Sequence, residues 1–349
     1  MGLEQLRSCI EQPATGGRAP LAERAPVERQ HLRSHSGEAT GRSHHRQLVS
    51  TLRRVPEHRG RIVVLAGPGV IDDNAIHGLR HFAAAGQLGV ANTWGAKGVF
   101  AWDSPHHLGT CGLQARDFEL LGFGSADLIV ATGIDERESP TDRFALAPVE
   151  VVAPTELEAF AGDYVATDPV PNDLYPRLAA VAQPGYLDEK VPLHPARAVS
   201  DLGDALPGDG LVVADPGVAG LWVARTFPTP PLDAGAPRRV IVPAEPAPGV
   251  AVTLACEAAR AGRPAIAVTT APVDDATLAT IPPAGSKAAL LIVVWGERGD
   301  VRRADDHLEL VAGALASPGV TRIEVPIALD DTALLVEAAG EVVAWGGIS

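Results

Sequence analysis

The residues whose types and spacing could carry chemistry are few. Gly67-Pro68-Gly69 follows an apolar run directly. A turn of this kind at a helix start can cradle a phosphate through backbone N–H groups. Pro68 removes one such donor, and the spacing of a full dinucleotide fingerprint is missing. A tight turn without a ligand explains the glycines equally well. Lys97, one of three lysines, sits in a Gly-rich loop and reads as a solvated or loop-pinning side chain. His106-His107 follow Pro105 in that loop and are expected on its surface. Adjacent histidines such as His44-His45 point different ways on a helix, which disfavours a shared metal. Asp305-Asp306-His307 opens a helical stretch, where carboxylates complement the positive helix end. No Gly-x-Ser-x-Gly nucleophile turn is present. Cys9, Cys111 and Cys256 are too far apart in sequence for a Cys-x-x-Cys zinc or redox pair.

The elements that must position these residues read as repeated strand–helix units. Arg61–Ala66, Gly89–Asn92, Asp127–Thr132 and Val149–Val152 have strand character. A helix capped by Asp72 or Asp73 and running to about Ala85 is expected, with another over Asn172–Val181. After a Pro-rich stretch, Gln183 to Pro195, the grammar repeats. Strands are predicted over Gly210–Ala214, Arg239–Val242, Ala265–Val268, Ala289–Trp295, Thr321–Val325 and Glu341–Ala344. Helices are predicted over Val250–Ala261, Asp305–Ala316 and Asp331–Ala339. Aliphatic strands alternating with helices imply right-handed crossovers and parallel sheets buried on both faces. The expected fold class is α/β, with two Rossmann-like doubly wound domains, the second built on a six-stranded sheet. The expected organisation is a disordered tail over 1–44, one domain over 45–183 and a second over 184–349.

Composition narrows the function classes. Of 349 residues, 46% are hydrophobic and only 4% aromatic, so the cores must be aliphatic. The net charge is -14, while residues 1–60 hold ten Arg against six Glu. An acidic body argues against nucleic acid as a partner. No apolar run is long enough for a membrane span or a signal peptide. A reducing, cytoplasmic setting is expected. Residues 1–43 hold no aromatic residue and little periodicity beyond a possible short helix in Leu3–Ile10. Such a segment buries too little apolar surface to offset its ordering entropy.

The pieces Val64–Val70 (VLAGPGV), Thr93–Phe100 (TWGAKGVF) and Leu108–Pro140, with Gly112-Leu113-Gln114-Ala115-Arg116-Asp117 inside the last, resemble the central domain of thiamine-diphosphate enzymes. The likeness is strongest to acetolactate synthases of the flavin-independent type, so flavin is not expected. Ala214–Phe227, Gly249–Val268 and Leu290–Trp295 resemble, more faintly, the diphosphate-binding domain of that family. Relatives sometimes hold a nucleotide in the central domain, and the corresponding candidates are Gly67, Gly69, Thr93, Lys97, Gly133 and Asp135. Arg116 and Asp117 match a motif with a structural role, holding a long loop.

The resemblance also implies thiamine diphosphate and Mg²⁺, the latter held by hard oxygen ligands. The family supplies an Asp in Gly-Asp-Gly after one strand and an Asn after the next. Here those positions fall on Thr269-Thr270-Ala271 and on Gly296, so no metal is expected at Thr270 or Gly296. Recruitment of Asp274 or Asp275 would require a remodelled loop. A polar pair that contacts the diphosphate is replaced by Val218-Ala219. The segment that bends the cofactor, Val242–Gly249, has no Met. A Glu-bearing pyrimidine domain finds no counterpart in the tail, whose composition also fits a displaced start or a frame-shifted remnant. The expectation is therefore a non-catalytic homologue acting as a partner, regulatory or vestigial subunit. No catalytic residue and no cofactor are expected in isolation. It would be a homo-oligomer or would meet a separate subunit carrying the pyrimidine domain. Two alternatives stay open: one half of a split acetolactate synthase-like enzyme acting on pyruvate or another 2-oxo acid, and a nucleotide-binding protein.

Overall fold

Continuous aliphatic runs place the strands, because only a strand covered on both faces can bury every side chain. The computed structural model describes residues 57–233, 237–247, 249–273 and 288–347. The expected tail, its short helix, His44-His45 and the loop carboxylates Asp274 and Asp275 lie outside the described residues. In chain order the first half supplies β1 (His58–Gly60), β2 (Ile62–Ala66), β3 (Gly89–Thr93), β4 (His107–Cys111), β5 (Leu128–Thr132), β6 (Val149–Val151) and β7 (Tyr164–Ala166). Five of them form a parallel sheet in the order β4-β3-β2-β5-β6, while β1 and β7 make a separate parallel pair. Its long helices are α1 (Ile76–Gly86) and α2 (Leu174–Tyr186).

The second half runs α3 (Pro195–Ala205), β8 (Leu211–Ala214), α4 (Val218–Thr226), β9 (Val240–Ile241), α5 (Val250–Arg260), β10 (Ala265–Thr269), β11 (Ala289–Gly296), α6 (Ala304–Leu315), β12 (Gly319–Pro326) and α7 (Thr332–Ala339). Its sheet is parallel and five-stranded, in the order β12-β11-β10-β8-β9. Separate apolar clusters cover its two faces, one under α3, α4 and α6, the other under α5. Each sheet reverses its strand order once, between β2 and β5 and between β8 and β10, which defines the crevices where doubly wound folds take ligands.

Three expectations are corrected. The sixth strand over Glu341–Ala344 does not form. Val342 makes an isolated antiparallel bridge to Gln114, and Ala344–Gly346 is a 3₁₀ turn. The segment's backbone bonds to the Leu113 carbonyl of the first half instead of extending the second sheet. The helix after Gly67-Pro68-Gly69 is broken. A single turn, Gly69–Asp72, precedes α1, and neither Asp72 nor Asp73 caps α1. Asp72 instead accepts a 2.5 Å hydrogen bond from Arg238. His107 opens an edge strand rather than lying on a loop surface.

The Gly112–Asp117 loop joins the two sheets. Asp117 is fully buried, and its Oδ2 accepts from the backbone N–H groups of Leu113 and Gln114 at 2.9 and 3.0 Å. Its Oδ1 accepts from Arg225 at 2.6 Å, with both side chains almost wholly buried. Gln114 Nε2 donates to the carbonyls of Leu335 and Gly340. Arg225 further donates to Gln114 Oε1 and to the Thr110 carbonyl. Every strong donor at this junction has an acceptor, which buried charge demands.

Candidate functional site

A cavity of about 470 Å³ lies beside the edge strand β4. One wall is the loop that leaves β3, with Lys97, Gly98, Phe100 and Trp102. His107, Gly109 and Thr110 of β4 line the cavity floor. α2 contributes Tyr175, Leu178 and Tyr186, and the end of α4 contributes Arg225, Phe227 and their neighbours. The size falls in the range of small-molecule sites, about 300–1,000 Å³.

The sequence builds this site through a long crossover. β3 ends at Thr93 and a 3₁₀ turn, Trp94–Ala96, throws Lys97 outward before the chain returns in β4. Gly98 sits at φ +98°, and a Cβ there would press on Leu232 at 3.1 Å, so the turn favours glycine. Behind it, Glu138 is buried and accepts 2.5 and 3.0 Å hydrogen bonds from the Thr93 hydroxyl and the Gly95 N–H. Burial pushes its carboxyl up to about 7, against those two hydrogen bonds. Arg238 donates to the Gly95 carbonyl at 2.7 Å and so ties the loop to the second half.

The charges on the cavity wall differ in kind. Arg225 is matched by Asp117. The Lys97 ammonium makes no hydrogen bond or ion pair among the described residues. Burial lowers its ammonium to about 8, with the neighbouring Arg225 charge adding to the effect. His107 is pushed down to about 4, first by burial and then by Lys97, so its ring is neutral at pH 7. Its Nδ1 is buried without a partner.

The sequence-predicted candidates separate into groups. Gly67, Gly69 and Gly133 come together at the first crevice, and they fill it with backbone. The Gly69 N–H donates to the Gly133 carbonyl at 2.9 Å. A Cβ on Gly67 would stand 2.2 Å from that same oxygen. Thr93 is buried under Glu138, Asp135 is held by Arg137 at 2.7 Å, and Lys97 alone of the six lines the cavity. Sequence reasoning missed Arg225 as a wall residue, as well as Tyr175 and Tyr186. Arg225 stood inside the quoted Ala214–Phe227 motif, but nothing local signals that α2 lies opposite it.

At the second crevice the strand ends carry Asp215, Thr269-Thr270 and Gly296. Thr270 is exposed and neutral, and the Thr269 hydroxyl is turned back to the Ala271 N–H at 3.0 Å. Asp215 places Oδ1 2.8 Å from the Ala251 N–H, at the start of α5. One of the first N–H groups of α5 is thus already served by a carboxylate, which would repel a phosphate brought to that helix end. Among the described residues no group of three His, Cys, Asp or Glu side chains is placed to hold a metal ion. Pro243, in the stretch expected to support the cofactor, gives its carbonyl to Trp345 Nε1 at 2.9 Å. The described residues of this crevice do not fit magnesium thiamine diphosphate.

Comparison with known proteins agrees with this architecture. Residues 57–154 match the family model of the thiamine pyrophosphate enzyme central domain. The fold is similar to that of a crystal structure from Mycobacterium smegmatis, provisionally assigned as a thiamin diphosphate-dependent enzyme. The TM-score is 0.52 at 16% identity, over 76% of this chain and 61% of that one. The chain therefore spans 61% of the length of that relative, and at this identity the likeness concerns the fold. No curated protein matches the chain. The described residues have a thiamine-diphosphate-enzyme-like α/β fold with parallel sheets. No helix among them is long and apolar enough to cross a membrane.

Proposed function

We propose that the chain is a non-catalytic homologue of thiamine-diphosphate enzymes that works as a partner or regulatory subunit. The observation that carries this reading is the second crevice. Asp215 spends its carboxylate on the Ala251 N–H, and Thr270 and Gly296 offer no charged oxygen where the resemblance calls for Asp and Asn. A magnesium-bound diphosphate has no anchor there among the described residues, because Mg²⁺ selects carboxylates and waters in near-octahedral order. The split-enzyme alternative would need that anchor from another polypeptide.

Isothermal titration of the full chain with thiamine diphosphate and Mg²⁺ tests the reading. No saturable heat and no rise in melting temperature are expected, since only a ligand of the native state stabilises it. Magnesium-dependent saturation, or release of CO₂ from pyruvate by the chain alone, would refute it. Light scattering across a concentration series measures the expected self-association.

A further inference from the structure

The cavity beside β4 lies away from both crevices, and its chemistry asks for a ligand. Phe100, Leu178 and Phe227 line it together with the two tyrosines, so its walls are mainly apolar. One ammonium, Lys97, opens on it without a counter-charge among the described residues. The other cation on the wall, Arg225, is neutralised by Asp117 at 2.6 Å. His107 is neutral and adds no charge. A lone ammonium amid apolar side chains is costly unless an anion joins it. The unmatched charge is single, which suits a monoanion better than a phosphate dianion. The aromatic walls suit an apolar body rather than a sugar.

We propose that this cavity binds a small organic carboxylate with an aromatic or aliphatic body, its carboxylate paired with the Lys97 ammonium. The proposal goes beyond the cofactor reading and does not rest on it, since thiamine diphosphate probes the other sheet. Such a site would let a partner subunit sense an acidic metabolite. Binding requires the protonated amine. The groups around Lys97 are His107 on β4, Arg225 on α4, and Tyr175 and Tyr186 on α2. The charge of the ammonium changes near pH 8, so affinity is expected to fall as pH rises through that value. A bound carboxylate would itself move the fall to higher pH.

The test is calorimetric titration of the full chain with 3-phenylpropionate, its neutral amide and phenyl phosphate. The carboxylate is expected to saturate, with the amide at least about tenfold weaker, as loss of one buried charge pair implies. Lys97→Met should lose about the same factor while its melting temperature holds or rises, because an unpaired buried charge is removed. Leu178→Trp, which fills the cavity without touching the charge, should also abolish binding. Equal binding of acid and amide would overturn the proposal. So would unaltered binding by K97M, tighter binding of the phosphate ester, or no binding by any probe.

Discussion

Two neighbouring regions of the molecule handle buried charge in opposite ways. In the Gly112–Asp117 junction every charge is matched. Asp117 faces Arg225 and two backbone N–H groups, and Gln114 is spent on two carbonyls. In and behind the Trp94–His107 loop the charges are left over. Lys97 has no partner among the described residues, His107 is held neutral, and Glu138 sits buried with only neutral donors. Matched charge fixes architecture, whereas unmatched charge in a cavity waits for something from solution. The two regions touch through Arg225, so the first holds the wall of the second.

The comparison can be broken most forcefully at Asp117. Asp117→Ala leaves Arg225 buried and unpaired, and should cost on the order of 3–5 kcal/mol in urea unfolding. A loss near zero would mean that the junction does not hold the halves together. The next effect lies in the loop. Burial raises the Glu138 carboxyl from 4.5 to about 7, so the unfolded chain releases its proton first. Stability from this group is complete below about pH 4.5 and declines as pH rises toward 7. Glu138→Gln keeps an acceptor for Thr93 and Gly95. It should flatten that decline and be more stable than the parent at pH 8, by roughly 2 kcal/mol. Parallel pH profiles of the two proteins would contradict the burial argument.

A smaller effect is expected at Gly95. Its added Cβ would lie 2.1 Å from Glu138 Oε1, so Gly95→Ala must displace the carboxylate and should cost about 1–3 kcal/mol. The smallest effect sharpens the contrast inside a single motif. Arg116 neighbours Asp117 in sequence but makes an exposed pair with Glu119 at 3.1 Å. Arg116→Ala should leave the urea midpoint unchanged, since exposed pairs contribute little.

The central strands were legible because their sequences are uninterrupted aliphatic runs. β2, β5, β8, β10 and β11 all fall on predicted strands. β4 was not, because His107–Cys111 offers one Leu and a glycine at φ +141°, and its pairing with β3 shifts register. α3 was hidden at the end of a Pro-rich stretch. The signal was present in His194, whose ring accepts from the Ala196 N–H, with Pro195 in the first turn. Glu341–Ala344 shows the converse error, since a short apolar run fits a strand or a docked turn equally. At the candidate site, Lys97 was visible as an isolated lysine in a glycine-rich loop. Its apolar surroundings come from α2 and α4, which sequence order separates from it by roughly 80 to 130 residues, and no periodicity reports such proximity.

The junction also bears on how the polypeptide reaches its native form. Gln114 finds its acceptors 221 and 226 positions downstream, and the Ala115 and Arg116 amides bond to Glu341 and Ala339. A ribosome releases the first sheet long before those partners emerge. The nascent first half must therefore wait with this loop hydrated until the second half has emerged.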